Sequence, residues 1–377
     1  MNIICFSHLR WNFVYQRPQH LFTRFAKHYT VYFVEEPVLH ESDDSYSIAI
    51  AKENIFVVTP YLNRVHSNIN PVARQAALLN KLICEQQIEK YICWYYSPMA
   101  LLFSHHLHPS LIVYDCMDEL SAFKFAPPEL KETERQLFDK ADVVFTGGYS
   151  LYHAKKDLHK NIYPFPSSIE KEHFAKARYI KEEPPDQKNI PRPRLGFFGV
   201  IDERFDIDLI KEVAAKKPDW SFVFIGPVIK IDAAFLPRAE NIFYLESKSY
   251  TELPHYISGW DIALIPFAIN ESTRFISPTK TPEYLAAGKP VISTPIADVV
   301  DPYGEKKLVS IVHSAEEFIA AADAILHEKN KSQWLEKVDT FLSDNSWENT
   351  FYKMHSIIKK MLAAKNNLIN KKGGMYV

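Results

Sequence analysis

Residues 261–295 read D-I-A-L-I-P-F-A-I-N-E-S-T-R-F-I-S-P-T-K-T-P-E-Y-L-A-A-G-K-P-V-I-S-T-P, and no other stretch narrows the fold as much. Residues 262–267 are a short apolar run of the kind that forms a buried parallel strand. A polar loop follows, and Ser277-Pro278-Thr279-Lys280-Thr281-Pro282 predicts a helix start. Hydroxyl residues suit the N-cap, and proline suits a first turn whose N–H has no partner to lose. The helix continues through Ala287, Gly288 ends it, and residues 291–294 form the next strand. Such a unit turns the N–H groups of a helix start, with Lys280 beside them, toward the carboxyl edge of a parallel sheet. That place favours a phosphate. Glu283 lies within about a turn, close enough to accept hydrogen bonds from a sugar hydroxyl of the same ligand. Ser277 and Thr279 complete the expected ligand-facing set.

Residues 282–292, P-E-Y-L-A-A-G-K-P-V-I, resemble the nucleotide-sugar site of GT-B glycosyltransferases of the retaining family-four type, whose pattern is E-x7-E followed by A-x-G-x-P-V. The resemblance implies that Glu283 holds the ribose hydroxyls of a nucleotide. Eight residues earlier, where the family carries its first Glu, this chain has Phe275; Glu271 is near but out of register. Family members also place an Arg and a Lys about five apart after the first strand of the second domain, to hold the donor diphosphate. Here residues 201–206 contain Arg204 alone, so Lys280 and the helix start carry more of that charge. Gly226-Pro227, at the end of the next strand, fits a close backbone approach to the base or ribose.

A chain of 377 residues exceeds one comfortable core and suits two domains. The expected division is 1–180, an acceptor-binding domain, and 194–346, a nucleotide-sugar-binding domain. Residues 180–194, with four prolines among charges, read as the linker and hinge between them. A long amphipathic helix over 347–370 resembles the GT-B helix that crosses back to complete the first domain. Its lysines 353, 359, 360 and 365 are either a solvated face or a contact for anionic lipid. A net charge of −2 with no basic stripe speaks against nucleic acid. The four cysteines lack a C-x-x-C spacing and read as reduced thiols. No apolar run reaches a transmembrane length or a signal segment. A cytoplasmic protein, able to rest on the inner membrane face, is expected.

The first half opens with a strand over 2–7 and lacks the glycines of a dinucleotide loop, which argues against a nicotinamide or flavin site. Trp11, Arg17, Pro18, Gln19 and His20 form a W-x5-R-P-Q-H run that resembles bacterial polysaccharide-type glycosyltransferases. Arg17 then stands at the mouth of a helix, either reaching the ligand or pairing with an acid. The strand at 111–115 is followed by C-M-D-E-L, and Asp118 is the candidate general base or acceptor contact, with helix capping as its other reading. The histidines at 105, 106 and 108 have no acid close by and read as loop, so no metal site is expected. Residues 166–174 resemble the P-N-G-V-D-x3-F stretch of family-four enzymes.

The expected fold is therefore α/β, of GT-B type, with two Rossmann-like doubly wound domains facing across a cleft. The resemblance implies transfer of a sugar from a UDP- or GDP-linked donor to a saccharide or lipid-linked hydroxyl acceptor, without metal or cofactor. Asp118, Arg204 and Lys280 are the expected catalytic groups. A nucleotide-sugar epimerase of the same fold, and a binding protein that kept the fold without catalysis, stay open alternatives.

Overall fold

A computed structural model describes residues 1–65 and 70–373. The first domain is a sheet of β1 (Asn2–Phe6), β2 (Thr30–Val34), β3 (Val38–His40), β4 (Ser45–Lys52), β5 (Ile55–Asn63), β6 (Tyr91–Tyr95), β7 (Leu111–Cys116), β8 (Val143–Thr146) and β9 (Ile162–Pro164). Their order is β3-β5-β2-β1-β6-β7-β8-β9, and every pairing is parallel except that of β4 against β5. The second domain holds β10 (Arg194–Phe198), β11 (Ser221–Ile225), β12 (Ile242–Leu245), β13 (Ile262–Ile265), β14 (Val291–Ser293) and β15 (Ser310–Ile311), all parallel, in the order β12-β11-β10-β13-β14-β15. The central strands β6, β8, β10, β11 and β13 are buried along their whole length, which is why they read as continuous apolar runs.

The sequence reading missed β3 and β4 and the helix Ser332–Phe341. The β4 strand is an edge whose side chains are mostly part-exposed, with Ile50 75% exposed, so its apolar residues do not mark a core.

Two corrections concern the join between the domains. Ile169, Phe174 and Ala177 lie in the core of the second domain, so the chain crosses over near residue 166 and not at 180. The proline-rich stretch 180–194 is no loose tether. Gln187 is fully buried, donates to the Tyr256 carbonyl at 2.8 Å and accepts from the Trp260 indole at 2.9 Å. Arg194 is buried against Glu183. The second crossing runs beside the first: Trp347 N–H donates to the Ile169 carbonyl at 3.3 Å, and the hydroxyls of Ser168 and Thr350 meet at 2.6 Å.

From there the helix Trp347–Gly373 returns to the first domain, burying Trp347, Phe351, Met354 and Ile358 in its core. Trp347 stacks on His20 with ring centroids 4.7 Å apart. Lys353, Lys359 and Lys360 are exposed on the opposite face, and Lys365 donates to Asp142 at 2.6 Å. No helix among the described residues is long and apolar enough to cross a membrane.

Trp347→Ala removes a fully buried ring at the crossing and is expected to cost about 3–5 kcal/mol of stability. Urea unfolding checks it; a loss below about 1 kcal/mol would mean the returning helix does not hold the first domain together.

Candidate functional site

Between the carboxyl edges of the two sheets lies a cleft of about 1190 Å³. His8, Arg17 and Asp118 line it from the first domain, and Gly199, Arg204, Gly226, Lys230, Ser277, Thr279, Lys280 and Glu283 from the second.

The helix Lys280–Ala286 is shorter than expected and begins at Lys280, with Thr279 in the cap position and no side-chain cap bond. It ends as the glycine predicts. Gly288 takes φ +72°, its N–H donates to Leu285, and Lys289 N–H donates back to Tyr284, a Schellman closure. Tyr284 is buried, and its hydroxyl accepts from Phe198 N–H at 3.0 Å, which docks the helix on the end of β10. Lys280 Nζ therefore lies over the rings of Phe197 and Phe198, 5.6 and 5.9 Å from their centroids. A side chain on Gly199, at φ +137°, would run into that lysine. Gly226, at φ +140°, lines the cleft, and a Cβ there would strike the Gly199 carbonyl. Pro227, beside it on the cleft, accepts from Ile201 N–H at 2.9 Å.

Lys280 and Glu283 sit one turn apart, yet neither pairs with the other or with any other described residue. Glu283 is 6% exposed, and its Oε2 is buried with no hydrogen bond. Burial pushes the Glu283 carboxyl up and the Lys280 ammonium down, each toward its neutral form, and their mutual attraction only partly opposes this.

Arg204 is held by Asp202, whose carboxylate accepts from Nε at 2.9 Å and from Nη2 at 2.7 Å. The neighbouring pairings fix the loop: Asp206 N–H donates to Pro266, and Ala268 N–H donates to Arg204. Nη1 keeps its donors free among the described residues. Lys230, which the sequence reading passed over, stands on a left-handed backbone at φ +60° with Nζ 3.7 Å from Glu203. Phe123 of the first domain lies under both cations, 5.5 Å from the Arg204 guanidinium and 5.1 Å from Lys230 Nζ. The only available signal for Lys230 was its place four residues past Gly226, and its unusual φ is invisible in sequence.

Asp118 faces these cations from the opposite wall. No described residue donates to its carboxylate, so the capping role finds no support. Burial pushes it up to about 6 against the pull of Arg204, Arg17 and Lys230. Arg17 is committed elsewhere. It is 3% exposed and donates through Nη2 to Asp115 at 2.8 Å and through Nη1 to the Phe165 carbonyl at 2.7 Å. It ties the start of the helix Arg17–Phe25 to β7 and to the end of β9. Ser277 lines the cleft, but its carbonyl accepts from Ser167 Oγ at 3.2 Å, a bond across the two domains. Phe275, in the place of the family's first Glu, packs against the first domain's core. Asp298 accepts from the N–H groups of Tyr149 and Ser150 at 3.0 and 2.8 Å, a further bridge that the sequence reading did not foresee.

Two parallel α/β domains joined by a returning helix, with their sheet edges facing one cleft, define the GT-B class of glycosyltransferases. The chain superposes on sucrose-phosphate synthase from Thermosynechococcus elongatus with a TM-score of 0.72 at 14% identity, covering 96% of this chain and 99% of that one. An α,α-trehalose-phosphate synthase (UDP-forming) from Burkholderia vietnamiensis gives 0.69 at 12%, covering 96% and 100%. Anabaena Alr3699/HepE, in complex with UDP, gives 0.68 at 12%, again covering 96% and 100%. Residues 192–328 match the family described as glycosyl transferases group 1. TuaH of Bacillus subtilis (strain 168), named for a glycosyltransferase role in teichuronic acid biosynthesis, is 27% identical over 285 residues, 70% of each chain. The chain thus has the GT-B fold, with the match to group 1 glycosyl transferases falling on residues 192–328.

Because Arg17 neutralises a fully buried Asp115, Arg17→Met is expected to destabilise the fold by about 3–5 kcal/mol. A variant with unaltered melting temperature but weakened nucleotide binding would return Arg17 to the ligand site.

Proposed function

We propose that the protein transfers a glycosyl group, with retention, from a UDP- or GDP-linked sugar to a hydroxyl of a saccharide or lipid-linked acceptor in cell-surface polysaccharide or glycolipid synthesis. One observation carries the reading: Lys280 and Glu283, side by side on the cleft wall, have no ion-pair or side-chain hydrogen-bond partner among the described residues. A nucleoside diphosphate offers what each lacks, phosphate oxygens for the ammonium and ribose hydroxyls for the carboxylate. The complex of HepE with UDP and the name of TuaH agree with the donor class and the pathway.

In this reading Arg204, Lys230 and Lys280 surround the diphosphate and stabilise the charge that grows on it as the bond from C1 to the phosphate oxygen breaks. Three protein cations at that place do the work for which other transferases use a divalent metal, and we propose that this one needs none. The acceptor oxygen bonds to C1, and its proton passes either to the departing phosphate or to Asp118. The Asp118 carboxyl is raised by burial to the range where it can both hold and release a proton near neutrality.

Two experiments test this. Glu283→Gln is expected to fold normally and to bind nucleoside diphosphate more weakly by an amount on the order of 1–3 kcal/mol. The loss should vanish for a 2′,3′-dideoxy nucleotide, which has no hydroxyl for Glu283 to hold; an equal loss for both removes the ribose assignment. If Asp118 takes the proton, turnover should fall as pH drops through about 6, and Asp118→Asn should lose both the turnover and that limb of the profile. A limb that persists in the variant gives the proton to the phosphate.

A further inference from the structure

The acceptor half of the cleft carries a feature that neither the family pattern nor the donor site explains. Phe125 is 79% exposed and stands on a left-handed backbone at φ +67°. A bulky side chain in that region is strained by roughly 1–3 kcal/mol, and such strain persists at functional sites. Leaving the ring in solvent forgoes its burial as well, so the fold gains nothing from this placement. Phe13, 49% exposed, lies on another loop of the same wall, and both line the cleft.

One lysine stands beside Phe125, and another stands beside Tyr15, a third aromatic that lines the cleft. Lys124 Nζ is 5.1 Å from the centroid of Phe125, and Lys52 Nζ is 6.0 Å from that of Tyr15. Both lysines line the cleft, both are exposed, and neither pairs with an acid among the described residues. Two acids, Glu36 and Asp118, also line this wall, and neither is within ion-pair distance of these lysines. The wall thus offers flat apolar faces flanked by lysines that pair with no acid among the described residues.

Resting on the glycosyltransferase reading above, we propose that Phe13, Phe125, Lys52 and Lys124 form a subsite for an anionic acceptor saccharide. Its pyranose C–H face lies on the rings, whose π-faces are electronegative, and its carboxylate or phosphate meets the lysines. A neutral lipid chain would use the rings and leave the lysines idle; a neutral sugar would do the same.

The test keeps the donor site filled with UDP or GDP, so that anionic probes cannot report the diphosphate site. Methyl β-glucoside, methyl β-glucuronide and glucose 6-phosphate are then titrated by saturation-transfer NMR. The two anionic probes should bind roughly three- to tenfold more tightly than the neutral one, the size of one partly exposed charge contact. Their relative order tells carboxylate from phosphate. Lys52→Met with Lys124→Met should erase the preference, Phe125→Ala should weaken all three probes, and Phe125→Tyr should restore them, with nucleotide affinity unchanged throughout. Equal binding of all three probes to the natural protein, no binding of any, or a parallel loss of nucleotide affinity overturns the proposal. If neither UDP nor GDP binds, the donor reading has failed, and the probe series without nucleotide still decides the subsite.

Discussion

The cleft depends on keeping an acid and a base, Glu283 and Lys280, close without letting them pair. Ionised groups removed from water cost several kcal/mol each unless they are paired. Lys280 and Glu283, three residues apart on one helix face, would ordinarily close that pair themselves. The packing prevents it. Tyr284 docks the helix on Phe198, which lays Lys280 across two aromatic faces, and Gly199 leaves the room that a side chain would take. Gly226 in turn leaves room for the Gly199 backbone. Neither group has an ion-pair partner among the described residues, and burial holds each toward its neutral form.

The second domain supplies only one wall of the cleft, and the opposite wall carries Asp118 and Phe123. What brings the walls together is a pair of adjacent crossings, joined by Trp347 to Ile169 and by Ser168 to Thr350. Asp298 at the head of the helix Tyr149–Lys155, Ser167 against Ser277, and Phe275 packed against the first domain's core add a second line of contact. Gly148 belongs to the same device, since a Cβ there would collide with Asp298. The residue that breaks the family's first-Glu pattern is thus accounted for. Phe275 holds the domains together in a place where relatives of the family-four type keep an acid.

Much of the site was legible because it lies on one contiguous unit. The strand, helix and glycine stop of 262–288 place Lys280 and Glu283 by local periodicity, and Arg204 follows from its loop. Arg17 stayed between two readings for an identifiable reason: its partner Asp115 lies on a strand far along the chain, and nothing local says that an arginine at a helix mouth turns inward. Lys230 was missed because its value comes from a left-handed backbone that aims it across the cleft. The capping alternative for Asp118 could be set aside only once its surroundings were known.

The sequence by itself determined the alternation of strand and helix and the parallel sheets, which follow from runs of apolar residues and from turn chemistry acting over a few residues. Its length set two cores, and its resemblance to GT-B enzymes implied the return of the last helix. Tertiary structure alone decided where the chain crosses, that the proline-rich stretch is packed and not free, and which charges remain unpaired. Those outcomes depend on contacts between segments as distant as Trp347 and Ile169, or Asp298 and Tyr149. Whether a charge is compensated is a property of everything that surrounds it, and no local pattern carries that information.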